Sequence, residues 1–245
     1  MQMINKNIFQ SLVVLSILIS SSAFSDASPF LKPEAVRLIP ENTFIPSEFD
    51  DNDNVQLVIS GHLPNICYKA GSASVQVDQL EKKIYIENSA YIYRSGLCAP
   101  VLVPYLHTIN LGIVQAGHYQ VLVRDQKDEL QDQGILNVAA SKTASSDNYL
   151  YAPVQDAFIQ DLSQPTLTIR GQFESDCMQL QEIKVSYQSA HVIEILPIAT
   201  MNQGDCHTVS VPFETQVKIE GPWSGSTLIY VRSLNGQAVS KVIDL

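Results

Sequence analysis

The chain contains itself twice, and that constrains its fold more than any other feature. Leu57-Val58-Ile59-Ser60-Gly61, followed by Cys67, returns 110 residues later as Leu167-Thr168-Ile169-Arg170-Gly171, followed by Cys177. Cys98, Pro104, Gly117 and Arg124 then match Cys206, Pro212, Gly225 and Arg232 at a shift of 108. Landmarks that keep their order while the shift changes by only two residues mean one small domain written twice. The repeat also selects among the three pairings that four cysteines allow. Cys67 pairs with Cys98 and Cys177 with Cys206, so that each copy closes on itself. Crossed pairings would staple two equivalent domains asymmetrically.

The N-terminus reads as a secretory signal. Lys6 supplies a basic start, Ile8 to Ile19 is largely apolar, and Ala23-Phe24-Ser25 offers small residues for cleavage after Ser25. The apolar run is shorter than the roughly 20 residues a membrane span needs, so we expect residues 1–25 to be removed and no transmembrane anchor to remain. Export to the periplasm or beyond the cell is the compartment in which disulfides persist. Cutting after Ser25 removes one basic residue, leaving 14 against 25 acidic residues, a net charge of −11. Such a surface disfavours nucleic acid and anionic lipid as partners.

Short runs of branched and aromatic residues alternate with polar ones and end at Gly, Pro, Asn or Asp, which is strand periodicity. Val55–Ile59, Val75 with Val77, Ile84 with Ile86, and Tyr119 to Val123 mark the first copy. Leu167–Ile169, Ile183–Val185, His191–Ile195 and Thr227–Arg232 mark the second. Asn235-Gly236 lies between two such runs and predicts a tight hairpin with positive φ at both residues. Pro40 with Phe44-Ile45 resembles Pro153 with Phe158-Ile159, which predicts a first strand pinning each domain. The fold class expected is all-β: two tandem immunoglobulin-like antiparallel β-sandwiches with one intradomain disulfide each. The domains run 37–138 and 149–245, with a mobile leader at 26–36 and a small, polar linker at 139–148 that predicts a flexible joint. This pattern loosely resembles bacterial secreted tandem immunoglobulin-like modules, a resemblance that carries over no functional residue. Small disulfide-closed sandwiches on a flexible joint present loops and edge strands, and two copies raise avidity when both engage, so the expected role is an exported, non-enzymatic binding, adhesion or envelope-structural one.

Candidates for chemistry are few. A Ser-His-Asp hydrolase would need a nucleophile and base that meet in space, and no Gly-x-Ser-x-Gly elbow occurs. None of the five histidines recurs between the copies, so catalysis is not the expected role, and the alternatives are an exported hydrolase with a cryptic site or a calcium-stabilised surface module. Asp50, Asp51 and Asp53, within Asp50-Asp51-Asn52-Asp53-Asn54, fit the spacing that cadherins use for calcium between domains. The competing reading is a solvated turn, because no full domain precedes the segment to complete a ligand set. No other metal site and no cofactor is expected. Trp223 stands in a turn-like Gly221-Pro222-Trp223-Ser224-Gly225, opposite the polar Gln115 of the first copy, and is either a contact residue or a cap on a core. Tyr91 and Tyr93 share a strand face and are contact or rim residues. The repeated Gly61 and Gly171 are expected to supply turns or positive φ, and Arg124 and Arg232 to pack their stems while their charges stay wet. The partner expected is an unidentified protein or glycan.

Overall fold

The structure is a computed structural model that describes residues 32–94, 96–145, 147–160, 165–189, 191–220 and 225–244. The segment expected as a signal peptide, Asp161–Gln164 and Trp223 lie outside the described residues. The first copy holds β1 (Glu34–Arg37), β2 (Asn42–Phe44), β3 (Phe49–Asp50), β4 (Val55–Leu63), β5 (Tyr68–Asp78), β6 (Lys83–Ile92), β7 (Val103–Gly112), β8 (Gly117–Arg124) and β9 (Leu130–Ala139). The second holds β10 (Val154–Ile159), β11 (Thr166–Phe173), β12 (Met178–Ser189), β13 (Val192–Met201), β14 (Val211–Lys218), β15 (Ser226–Ser233) and β16 (Gln237–Asp244).

Each copy is a β-sandwich of one three-stranded and one larger sheet. The three-stranded sheets run β2-β4-β7 and β10-β11-β14, and the larger ones share the order β5-β6-β8-β9 and β12-β13-β15-β16. The registers superimpose at the sequence shifts. Gly61 faces Tyr105 as Gly171 faces Phe213, and Phe44 faces Val58 as Phe158 faces Thr168. The opening segments therefore do form the pinning strands β2 and β10. Most pairs are antiparallel, but the copies share a parallel pair, β6 with β8 and β13 with β15. The chain reaches these pairs by crossing through the other sheet as β7 or β14, which no local pattern announces. The first copy adds β1, antiparallel to β6, and β3, parallel to β9, so strand structure begins at Glu34, inside the segment expected as a leader.

Both disulfides form as the repeat requires, Cys67 with Cys98 and Cys177 with Cys206. The hairpin at Asn235-Gly236 has φ of 60° and 65°, the positive values that an Asn-Gly turn supplies.

Gly61 and Gly171 correct the expectation of turns. Both sit inside strands, β4 and β11, and neither has positive φ. What excludes a side chain is close approach. A Cβ on Gly171 would land on the Pro153 carbonyl oxygen and the Phe213 ring, and one on Gly61 would lie 2.9 Å from the Tyr105 hydroxyl. Each glycine lets an aromatic ring of the facing strand cross the sheet.

The two sandwiches stack face to face. Leu57 and Ile59 of β4 point into the first copy's own core, and alternation sends Gln56 and Val58 to the opposite face, where Val192, Leu228 and Tyr230 of the second copy join the same apolar cluster. Ile229 and Val231 of β15 point the other way, into the second copy's core with Ile169 and Ile195. Covered on both faces, β4, β13 and β15 are buried almost throughout, which is why they read as continuous apolar runs. The result is four layers: β5-β6-β8-β9, β2-β4-β7, β12-β13-β15-β16 and β10-β11-β14. Gly171→Ala should cost about 1–3 kcal/mol through overpacking, read as a lowered melting temperature, while Gly204→Ala, with open space around it, should cost far less.

Candidate functional site

The contact between the two inner sheets carries the densest chemistry in the molecule. β15 presents Leu228, Tyr230 and Arg232 along one face, and β13 presents Val192 and Glu194 beside them. Arg232 is only 4% exposed, so its charge is not wet as its place at a strand end suggested. Its Nε donates to Glu194 Oε1 at 2.8 Å, and Glu194 Oε2 accepts from Gln188 Nε2 at 3.2 Å. Across the interface Arg232 Nη1 lies 3.7 Å from Asp53 Oδ2 and 3.8 Å from Asp147 Oδ1. The guanidinium also stands 4.4 Å from the Phe49 ring centroid of the first copy. Nearby, Tyr230 donates its hydroxyl hydrogen to Gln56 Oε1 at 2.9 Å. One buried cation thus gathers carboxylates from the first copy, the joint and the second copy.

One positive charge faces three carboxylates, and the imbalance shows in their titration. Burial raises the Asp53 and Glu194 carboxyls, with Arg232 pulling both the other way. Burial, then repulsion from Asp53, pushes Asp147 up to about 6. The protonated form of Asp147 is therefore favoured in the fold relative to the unfolded chain. Its contribution is most favourable at low pH and is lost as pH rises from 3.8 through about 6.

The joint is held rather than loose. Asp51 Oδ1 accepts from Ser141 N at 2.8 Å, and Asn52 Nδ2 donates to the Thr143 carbonyl at 3.0 Å. The flexible joint expected from its polar composition is thereby tied to the loop after β3. A cleft of about 440 Å³ opens beside it, lined by Glu48, Asp50, Lys142, Tyr149, Tyr151 and Arg232 among others.

The acidic run of the first copy is spent on this architecture. Asp53 Oδ2 accepts from Asp50 N at 3.0 Å, Asp50 Oδ1 accepts from Asn52 N at 3.2 Å, and Asp51 holds Ser141. The three carboxylates turn to separate partners, and among the described residues no group of three or more His, Cys, Asp or Glu side chains is placed to hold a metal ion. Tyr91 and Tyr93 lie half-exposed at the end of β6, with Lys69 Nζ 5.0 Å from the Tyr93 ring centroid.

A second cleft, about 370 Å³, lies where the copies meet on another side and is lined by Ser60, His62, Ser226, Ser240 and Asp244 among others. His62 Nδ1 is bonded to Glu41 Oε2 at 2.9 Å, an orienting pair that the sequence did not reveal. Ser226 Oγ donates to Asp244 Oδ1 at 2.5 Å. Among the described residues no histidine ring hydrogen-bonds a serine or threonine hydroxyl: His118 meets Asn137 and His207 meets Asp176.

The disulfide ends complete the inventory. In the first copy the segment after β6 exposes Leu97, Val101 and Leu102 beside Ile66, with Leu97 90% exposed. Ile66 N donates to the Ala99 carbonyl at 3.3 Å, and the second copy repeats this bond from Asp176 N to the His207 carbonyl. The frame is shared and the side chains are not.

Compared with known proteins, residues 57–132 match a family model described as an ORF11 beta-sandwich domain. The match covers less than half of the chain and runs from within β4 to within β9 of the first copy. It supports a β-sandwich module there. No curated protein and no solved structure matches the chain.

Two substitutions test the buried cluster. Arg232→Met removes the sole cation from among three carboxylates and should cost about 3–5 kcal/mol, measured by denaturant or thermal unfolding. Asp147→Asn should flatten the dependence of melting temperature on pH between 3.8 and about 6, where the parent loses stability as pH rises.

Proposed function

We propose that the chain is an exported, non-enzymatic protein that binds a partner through a surface carried on two β-sandwiches stacked into one body. Two disulfides fit an oxidising compartment, and among the described residues no helix is long and apolar enough to cross a membrane. The observation that carries the binding role is the exposed end of the first copy. Leu97, Val101, Leu102 and Ile66 stand out of the fold on a braced loop, where water solvates them poorly and a partner would cover them. The second copy keeps the same frame with Asp176, Asp205 and Ser210 in place of Ile66, Leu97 and Leu102, exposing only Met201 and Val209 among its large apolar side chains there, so folding does not require the leucines. Adhesion and a structural role in the envelope are specific forms of the same reading.

The hydrolase alternative draws on the His62–Glu41 pair in its serine-lined cleft. It lacks a nucleophile on the histidine ring among the described residues.

Cross-linking capture with the exported chain (residues 26 to 245) as bait, against its own cell's envelope and medium, tests the binding role. We expect a partner retained by the oxidised bait and lost after reduction and alkylation. Labelling of a serine by a hydrolase-directed probe, with no partner captured, would favour the alternative.

A further inference from the structure

Two segments meet at the disulfide of each sandwich, and the copies fill them with opposite chemistry. In the first copy, residues 64–70 and 91–103 contain Lys69 and Arg94 and no acidic residue, in a chain with 25 acidic residues. The matching segments 174–180 and 199–211 contain Glu174, Asp176 and Asp205 and no Lys or Arg. Three of the four exposed aliphatic side chains follow the same division, while Val101 is matched by Val209, 44% exposed, and Met201 stands in place of Tyr93. Asp176 stands in place of Ile66, Asp205 in place of Leu97 and Ser210 in place of Leu102.

We propose that the disulfide-closed end of the first copy docks on the surface of a bilayer containing anionic lipids. The proposal rests on the binding role above and names the partner of one end. Leu97, Leu102, Val101 and Ile66 are 90%, 64%, 55% and 51% exposed. They project from a loop rather than lining a groove, a shape suited to a deformable apolar medium. Half-exposed Tyr91 and Tyr93 belong to the same end, with Tyr93 N donating to the Cys67 carbonyl at 2.8 Å, and tyrosine is a residue type that settles at headgroup level. Arg94 is bonded to Glu34 through Nε at 3.0 Å and Nη2 at 2.8 Å, so Lys69 leaves this end one net positive charge. Aliphatic tips with an aromatic and cationic rim match a surface that is apolar within and anionic at its face. The acidity of the rest of the chain opposes approach only weakly, since charges beyond about 8 Å are screened at physiological salt. Another copy of the chain offers its acidic end as a counter-charge, but that end exposes only Met201 and Val209 as large apolar side chains, among Asp176 and Asp205, against the two leucines, valine and isoleucine that need cover.

The test is co-sedimentation of the exported chain with vesicles of phosphatidylethanolamine and phosphatidylglycerol, three to one, and with vesicles of phosphatidylcholine alone. We expect stronger partition to the anionic vesicles and a loss of roughly tenfold or more in Leu97→Asp/Leu102→Ser, which installs the second copy's own residues. The exposed control Leu130→Asp should bind like the parent, and melting should show all variants folded. No partition of the parent overturns the proposal, as does equal partition of the double variant. Self-association that the double variant abolishes, without vesicle binding, also overturns it and gives the end to a second copy. A blank with vesicles leaves the capture experiment free to identify a protein partner, so the two readings fail separately.

Discussion

Everything in this architecture depends on Arg232 being covered. Its guanidinium lies in the contact between the two sandwiches, beside the joint, bonded to Glu194 of its own sheet and facing Asp53 of the first copy and Asp147 of the joint. A charge removed from water this fully is costly unless it is paired and hydrogen-bonded. The pairing exists only when the two copies and the joint are all in place. The cluster is thus weak evidence for high stability and a strong constraint on arrangement, because a shifted stack would leave a buried charge without its partners. The apolar contacts of Val58, Val192, Leu228 and Tyr230 drive the faces together, and the charged cluster fixes how they meet.

Two tandem domains on a flexible tether would present two independent surfaces. A stacked pair presents one body whose ends differ. Duplication supplied the same frame twice, down to the bond from Ile66 to Ala99 and from Asp176 to His207. With one face of each copy committed to the stack, divergence is visible at the disulfide ends, where the first copy exposes Ile66, Leu97 and Leu102 and the second places Asp176, Asp205 and Ser210. That asymmetry is the ground for placing the partner surface on the first copy.

The repeat, the disulfides and the strands could be read in the sequence because each rests on local pattern. Alternation at Ile84 and Ile86 marks a strand with one covered face wherever that strand sits. The stack could not be read in this way, since it depends on which face meets which. Its trace was present in Leu228-Ile229-Tyr230-Val231, where alternation gives way to a continuous run because both faces are covered. Arg232 closes that run and shares the outward face of Leu228 and Tyr230, yet a strand-end arginine ordinarily reaches water. Gly171 was misread for a related reason: the crossing Phe213 ring that excludes a Cβ lies on a strand about 40 residues away. The apolar end around Leu97 needed the second copy as a control before its exposure carried meaning.

The central claim is that the two sandwiches form one cooperative unit through the buried cluster, and scanning calorimetry of residues 26 to 245 tests it most directly. The account predicts a single transition whose calorimetric and van't Hoff enthalpies agree, because neither copy can leave the stack without exposing Arg232 and its carboxylates. Two separated transitions, each with the enthalpy of one small domain, would contradict it.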